Sequence, residues 1–248
     1  MVSVQCGVKI FQEIQAIVFD KDGTLADSAQ YLRVLAQRRS RLLDAKIPGI
    51  ESPLLLAFGV EDDRLDPAGL MAVGSRYENE IAAAAYVAET GCSWPEALAI
   101  VSATFGEAEL SPADKAAATP LFPGCQDLVV ALARAGVKIA IASTDTTANV
   151  QAFIQHYNLA DHIQLIRGGD EEIPIHKPDP ALLLQICQQL TVSPKATLMV
   201  GDSQLDLKMA RQAGIAGAIG VTGTSRPYPS LPDADSLIEQ VTQLQISD

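Results

Sequence analysis

The chain has 248 residues, of which 48% are hydrophobic and 19% charged, and its formal net charge is −12. This length suits one large domain or a core with one inserted domain, and the composition argues against intrinsic disorder. The negative charge argues against a general nucleic-acid or anionic-membrane surface, because either would need a basic patch. An anionic small molecule can still bind where a metal ion or a few basic residues supply local positive charge.

The four cysteines are scattered along the chain without a CxxC pair, so neither a disulfide framework nor a zinc site is indicated. Residues 1–15 lack the basic region and the clean apolar run of a signal peptide. No stretch is long and apolar enough to predict a membrane span. We therefore expect a soluble, cytoplasmic protein with unpaired thiols.

Short apolar runs predict buried parallel strands at residues 14–20, 137–143, 163–166, 197–202 and 216–221. Helical patterns lie between them, at residues 150–157, 180–190 and 205–213. Strands that alternate with helices predict a doubly wound, Rossmann-like α/β sheet. The tail from about residue 222 is rich in loop-forming residues and then predicts one short amphipathic helix.

One long interval, from residue 26 to residue 118, contains no convincing strand. Its helical patterns fall at residues 27–46, 66–90 and 94–107. Because structureless loops of this length are rare, the interval predicts an inserted α-helical domain. The expected α/β core domain then comprises residues 1–25 and 119–248.

Polar residues follow the predicted strands, at the sheet edge where ligands of open α/β sheets bind. Asp20 ends the first of these strands and Asp22 lies two residues on, before a turn that Gly23 permits. One such carboxylate can act as a nucleophile while the other transfers protons. Further hydroxyls, a cation and carboxylates follow the other strands, at Ser143, Thr144, Lys177, Asp202 and Asp206.

Each of these groups also has a purely structural interpretation. The first two carboxylates would belong to a polar turn that follows a strand. Ser143 and Thr144 would cap the next helix, and Lys177 would be a solvated loop residue. Asp202 and Asp206 would be acids at a helix N-terminus. Their joint position at one sheet edge favours a single site, in which Asp202 beside the first strand would form an oxygen site suited to magnesium.

Four sequence motifs resemble those of the haloacid dehalogenase superfamily: FDKDGTL at residues 19–25, the strand end at Ser143, Lys177 in KPDP, and GDSQLD at residues 201–206. The insertion resembles the helical cap of the phosphoglycolate phosphatase and β-phosphoglucomutase branch, which closes over the core and selects the substrate. The resemblance implies a magnesium-dependent phosphatase. Its substrate would be a small phosphate ester, phosphoglycolate-like or a sugar phosphate, cleaved through an aspartyl-phosphate intermediate.

The resemblance also implies a role for each matching residue. Asp20 is the expected nucleophile, and Asp22 is the acid/base that protonates the leaving group and then activates water. Ser143 binds the phosphate, while Lys177 steadies the nucleophile and the phosphoryl group. An acid at position 22 favours phosphate esters over the substrates of haloacid dehalogenases and phosphonatases.

The implied metal ligands are Asp20, the backbone carbonyl of Asp22, and Asp202. Asp206 is expected to act either as a direct ligand or as a supporting acid. The expected substrate contacts include a loop and a strand end, at Gly23, Thr24, Ser143, Thr144 and Lys177.

The sequence also suggests where the side chains of two further basic residues lie. Lys21 stands where many relatives of this branch have an apolar residue, and we expect its side chain to face the cap or solvent. Arg39 falls within an apolar stripe of the first helix predicted in the insertion. We expect it to bind a substrate carboxylate or a second phosphate, and the alternative is an ion pair inside the insertion.

Two other functions are compatible with these residues. A phosphosugar mutase of the β-phosphoglucomutase kind would use the same core but return the phosphoryl group to the substrate. A non-catalytic module that binds metal or phosphate is the second alternative, although such a module has no need for both Asp20 and Asp22.

Overall fold

The computed structural model of the protein describes residues 2–170, 175–223 and 230–247. The chain divides into two compact units. Unit 1 comprises Met1–Asp27 and Lys115–Asp248, and unit 2 comprises Ser28–Asp114.

The described strands and helices are as follows. The strands are β1 (Val2–Cys6), β2 (Lys9–Ile14), β3 (Ala16–Phe19), β4 (Val60–Glu61), β5 (Arg64–Leu65), β6 (Lys138–Ala142), β7 (Leu165–Arg167), β8 (Thr197–Gly201), β9 (Gly217–Val221), β10 (Ser236–Ile238) and β11 (Leu244–Ser247). The helices are α1 (Ala29–Asp44), α2 (Glu51–Phe58), α3 (Leu70–Val73), α4 (Arg76–Glu89), α5 (Trp94–Ala108), α6 (Pro112–Ala118), α7 (Cys125–Arg134), α8 (Thr147–His156), α9 (Pro180–Leu190) and α10 (Gln204–Ala213).

The main sheet of unit 1 has six strands in the order β10-β9-β8-β3-β6-β7, and the neighbouring strands pair in parallel. This confirms the predicted α/β fold. Strand β3 lies at the centre and pairs with β6 on one side and β8 on the other. The residues that follow these three strands therefore meet at one edge of the sheet.

Helices cover both faces of this sheet, as the fully buried pattern of β3 requires. Successive side chains of a strand point to opposite faces. Ile17 and Phe19 pack in one core cluster with residues of α7 and α8. Ala16 and Val18 pack in the other cluster with residues of α9 and α10.

A second sheet of unit 1 is antiparallel, in the order β11-β1-β2. The helix predicted in the tail is wrong, because the tail instead supplies β10, a 3₁₀ turn at Val241–Gln243 and β11. In β11, Leu244 is buried, and its neighbours alternate in exposure with the two-residue period of a strand.

Unit 2 is mainly helical, from α1 to α5, with a two-stranded β4-β5 hairpin. Phe58 and Phe105 pack edge to face in its core, with ring centroids 6.3 Å apart. The predicted helix at residues 66–90 is broken, because Ser75 caps a new helix, α4, by a reciprocal capping box with Glu78. No described helix has the length and apolar character needed to cross a bilayer.

Candidate active site

Asp20 directly follows the central strand β3, and its side chain is nearly buried. Its backbone N–H donates to the carbonyl of Val200 in β8 at 2.9 Å, which continues the pairing of the two strands. Lys177 Nζ lies 2.5 Å from Asp20 Oδ1 and 2.6 Å from Asp206 Oδ1. One ammonium group therefore joins the acid after β3 to an acid after β8.

A cluster of three carboxylates surrounds this lysine. Asp20, Asp202 and Asp206 each offer an oxygen atom within 4.8 Å of the others. Asp206 also accepts from the hydroxyl of Ser203 at 2.6 Å, in the capping box that begins α10. The helix-terminal role proposed as an alternative for Asp206 thus coexists with its place in the cluster.

The cluster is electrostatically crowded. Burial raises the pKa of Asp20 to about 7; Lys177 opposes this shift, while Asp206 and Asp22 add to it. Burial also raises the pKa of Asp202, and the charges of Asp20 and Asp206 raise it further. For Lys177, burial lowers the pKa, but the two carboxylates it contacts outweigh burial and hold its pKa above the usual range. The lysine is therefore charged, and it balances only part of the negative charge.

A divalent cation fits this arrangement. Three carboxylates, of which Asp20 and Asp206 are buried and Asp202 is partly exposed, face one ammonium and leave a local excess of negative charge. Oxygen ligands of this kind suit magnesium. The loop after β3 passes close beside them, because Gly23 has a φ of +79° and a Cβ there would lie 2.6 Å from Asp202 Cγ. The backbone at Gly23 and the carboxylate of Asp202 are thus in close contact.

The loop itself is a compact turn. The carbonyl of Lys21 accepts from the N–H groups of Leu25 and Ala26, both at 2.9 Å. Thr24 is buried, and its hydroxyl has no hydrogen-bond partner among the described residues. These hydrogen bonds close the backbone of residues 21–26 into a turn.

Ser143 follows β6, the strand that pairs with β3. Its side chain is 5% exposed, and its Oγ accepts from the N–H of Asp145 at 3.1 Å. The alternative in which Ser143 and Thr144 cap the next helix is wrong. The N-cap of α8 is Thr146, whose hydroxyl accepts from the N–H of Asn149.

The side chain of Lys21 is buried among residues of unit 1, so the expectation of an outward-facing side chain is wrong. Its side chain is 1% exposed, and its Nζ lies 2.6 Å from Asp22 Oδ1 and 3.1 Å from Asp145 Oδ2. The alternation of β3 contained the signal, since residues two apart share a face. Lys21 lies on the same side of the sheet as Ile17 and Phe19, the side that α8 covers, since its Nζ lies 5.5 Å from the centroid of the Phe153 ring.

Asp145 is a second residue that the motifs did not identify. Its Oδ1 accepts from Lys115 at 2.8 Å, opposite the oxygen that faces Lys21. Burial raises its pKa, but the two lysines outweigh burial and hold the pKa below the usual range. The buried, ionised carboxylate of Asp145 thus contacts Lys21, the lysine of the first motif.

Arg39 lies in unit 2, where its side chain is 4% exposed. Its guanidinium forms an ion pair with Glu109 and stacks over the ring of Phe105, 4.2 Å from the centroid. The expected substrate contact gains no support from this geometry. The ion pair within the insertion, which the sequence left as the alternative, is the contact observed.

Comparisons with known proteins agree with this architecture. The family model for haloacid dehalogenase-like hydrolases matches residues 14–214. Phosphoglycolate phosphatase 1 of Pseudomonas aeruginosa is 30% identical over 228 residues, which cover 90% of this chain and 75% of that protein.

Solved structures show the same fold. A predicted phosphoglycolate phosphatase from Haemophilus somnus superposes with a TM-score of 0.71 at 22% identity, covering 92% of this chain and 95% of that one. The β-phosphoglucomutase of Clostridium difficile superposes with a TM-score of 0.63 at 20% identity, covering 93% and 92%. With the family model and the Pseudomonas relative, these findings identify the chain as a member of the haloacid dehalogenase-like hydrolases.

Proposed function

We propose that this protein is a magnesium-dependent phosphatase that hydrolyses a small phosphorylated metabolite, phosphoglycolate-like or a sugar phosphate, through an aspartyl-phosphate on Asp20. The observation that carries the proposal is the contact of Lys177 with both Asp20 and Asp206, beside Asp202. Family membership and the phosphoglycolate phosphatase relatives support a phosphatase acting on a small phosphorylated substrate.

In the first step, a carboxylate oxygen of Asp20 attacks phosphorus and the bond from phosphorus to the leaving oxygen breaks. Asp22, as a carboxylic acid, gives its proton to that oxygen. Lys177 holds Asp20 through its Oδ1 and offsets the charge of the phosphoryl group. The hydroxyls of Ser143 and Thr144 and the loop at Gly23 and Thr24 are proposed to contact the phosphoryl oxygens.

In the second step, water attacks the phosphorus of the aspartyl-phosphate while the Asp22 carboxylate takes a proton from it. The bond from phosphorus to the Asp20 oxygen breaks, inorganic phosphate leaves, and the Asp20 carboxylate is restored. Magnesium, held by Asp20, Asp202 and the Asp22 carbonyl with support from Asp206, would supply positive charge beside the phosphoryl group. The carboxyl cluster is suited to hold it.

The division into a core and a substrate-selecting cap remains part of the proposal, with unit 2 as the cap. The expected boundaries at residues 25 and 119 lie close to those of the two compact units. We also propose a cytoplasmic location, in keeping with four cysteines that are free thiols.

The test is a phosphate-release screen in the presence of MgCl₂. The panel contains 2-phosphoglycolate, sugar monophosphates, nucleoside monophosphates and p-nitrophenyl phosphate. We expect release from at least one small metabolite and none after Asp20→Asn, which keeps the shape of the side chain but removes the nucleophile. Full activity of Asp20→Asn would refute the mechanism. Isomerisation of a sugar phosphate with little phosphate release would show a mutase instead.

A further inference from the structure

Lys21 is a buried lysine that the proposed reaction does not use. It follows β3 on the face of Ile17 and Phe19, and its ammonium lies 5.5 Å from the centroid of the Phe153 ring. An ammonium group in such surroundings is costly unless it is paired and hydrogen-bonded. The fold therefore retains this charge only with suitable partners.

Both partners of Lys21 are carboxylates. Its Nζ lies 2.6 Å from Asp22 Oδ1 and 3.1 Å from Asp145 Oδ2. The two differ in their surroundings, because the side chain of Asp22 is 19% exposed and that of Asp145 is 7% exposed. Asp22 is therefore the more accessible of the two carboxylates, and Asp145 lies in the interior.

Asp145 is itself firmly held. Its Oδ1 accepts from Lys115 Nζ at 2.8 Å, from the N–H of Thr146 at 2.8 Å and from Asn149 Nδ2 at 2.7 Å. Two of these donors belong to the start of α8, so the carboxylate is fixed to a helix. Lys21 thus connects a rigid anchor to the more exposed carboxyl group of Asp22.

We propose that Lys21 is a positioning residue, which holds the Asp22 carboxyl group in the orientation from which it exchanges protons with the leaving oxygen and with water. This inference rests on the proposed phosphatase function. An aspartate side chain that is partly exposed rotates among rotamers, and a proton transfer needs one of them. A charged hydrogen bond to a lysine fixed by Asp145 restricts that choice.

The alternative is a purely structural role, in which Lys21 only neutralises Asp145. The two roles differ in their dependence on the leaving group. p-Nitrophenolate leaves without a proton, whereas the alkoxide of 2-phosphoglycolate needs one. A lost orientation of Asp22 therefore lowers kcat/KM, which reports the steps up to formation of the aspartyl-phosphate, selectively for the alkyl ester. A general structural defect lowers kcat/KM for both esters alike.

The experiment compares Lys21→Met with the wild-type protein on these two esters, with kcat and KM measured separately at saturating MgCl₂. Since general acid catalysis contributes roughly 10²–10⁴-fold, we expect kcat/KM for 2-phosphoglycolate to fall by about 10–100-fold. For p-nitrophenyl phosphate we expect kcat/KM to fall by less than about threefold, because the first step with that ester does not depend on the acid. An equal fall on both esters, or none on either, would overturn the inference.

Lys115→Met is the matched control, because it removes the other lysine from Asp145 and leaves the contact of Lys21 with Asp22 in place. It should lose stability without any selectivity between the esters, and the same selectivity as in Lys21→Met would overturn the inference. If Lys21→Met is too unstable to assay, the double variant Lys21→Met/Asp145→Asn also removes the charge of the carboxylate that has lost one of its two lysines, and it should show the same selective loss.

The wild-type measurement separates this inference from the function on which it rests. A wild-type protein that releases phosphate from no ester of the screening panel refutes the proposed function, and the inference falls with it. Where the screen finds another alkyl phosphate as the substrate, that ester takes the place of 2-phosphoglycolate in the comparison. A wild-type protein that cleaves both, is inactivated by Asp20→Asn and yet tolerates Lys21→Met without selectivity refutes the positioning role alone.

Discussion

Gly23 lies directly against the carboxylate of Asp202, so a Cβ at this glycine would come within 2.6 Å of Asp202 Cγ. Its φ of +79° is also one that residues with a side chain rarely adopt. The glycine thus joins the loop of the first motif to the acid of the fourth. The positive φ at residue 23 and its close approach to Asp202 are both possible because glycine has no side chain.

We expect Gly23→Ala to lower phosphatase activity by about 100-fold, because displacing a reacting group by about 1 Å is enough for such a loss. Magnesium affinity should fall with it, since Asp202 must move away from the methyl group. Steady-state kinetics and a magnesium titration measure the two effects.

The control for this variant is Gly7→Ala. Gly7 has a φ of +60°, but nothing lies within 4 Å of the position that a Cβ would take there, so this variant reports backbone strain alone. It should cost stability of about 1 kcal/mol and leave activity unchanged. Equal activity of Gly23→Ala and the wild type would contradict the role assigned to the close approach.

Asp202→Asn tests the cation site independently of activity. Wild-type protein should melt at a higher temperature when MgCl₂ is added, by a stabilisation of about 2.7 kcal/mol at 100 times the dissociation constant. The variant should lack this response. Without magnesium it should melt no lower than the wild type, because one of three mutually repelling carboxylates is gone.

Asp161→Asn serves as the comparison, since Asp161 is an exposed acid of unit 1. It should keep the full response to magnesium in a thermal melt. An undiminished magnesium response of Asp202→Asn would count against this cluster as the metal site.

Asp145→Asn should reveal a pH-dependent contribution to stability. Lys21 and Lys115 outweigh burial and hold the pKa of Asp145 below its usual range. A carboxyl group with a depressed pKa stabilises the fold above its unfolded pKa of about 4, and this stabilisation is lost as the pH falls toward the folded pKa. The wild type should therefore exceed the variant in free energy of unfolding at about pH 7, and the gap should narrow below about pH 4.

Urea unfolding of both proteins over this pH range measures the gap. Since protonated Asp145 is neutral like asparagine, the two proteins should approach each other in acid. A gap that stays constant with pH would mean that the ionised form of Asp145 contributes nothing to stability.

Arg39→Leu should destabilise the protein by about 3 kcal/mol, because it breaks a buried ion pair and leaves Glu109 without its partner. Because the side chain of Glu109 is 21% exposed, we expect a loss of stability at the low end of the range for breaking buried ion pairs. The double variant Arg39→Leu/Glu109→Gln should recover part of the loss. KM for the substrate should not change in either variant, and a raised KM would restore the substrate-binding role expected from the sequence.

The central strands and the polar residues after them were predictable, because they depend on local patterns. Apolar runs of strand length predicted β3, β6 and β8, and Asp20, Ser143 and Asp202 follow those strands. Since the carboxyl ends of parallel strands share one edge of the sheet, their proximity followed from the fold class alone.

The ends of the chain were less predictable. Strand β1 pairs with β2 on one side and with β11 on the other, although β11 lies far from both in sequence. Short strands at a sheet edge carry weak patterns, and their stability comes from the pairing itself. A short segment such as β11 therefore also fits the amphipathic helix predicted for the tail.

The sequence by itself determined the α/β core, the inserted helices and the residues at the edge of the sheet, because hydrophobic periodicity and motif spacing are local properties of the chain. Only the tertiary structure decided the partners of the buried charges. It pairs Lys21 with Asp22 and Asp145, and Arg39 with Glu109. A buried charge must find an opposite charge, but which one it finds depends on how distant segments pack. Within the first motif, Lys21 therefore forms an ion pair with Asp22.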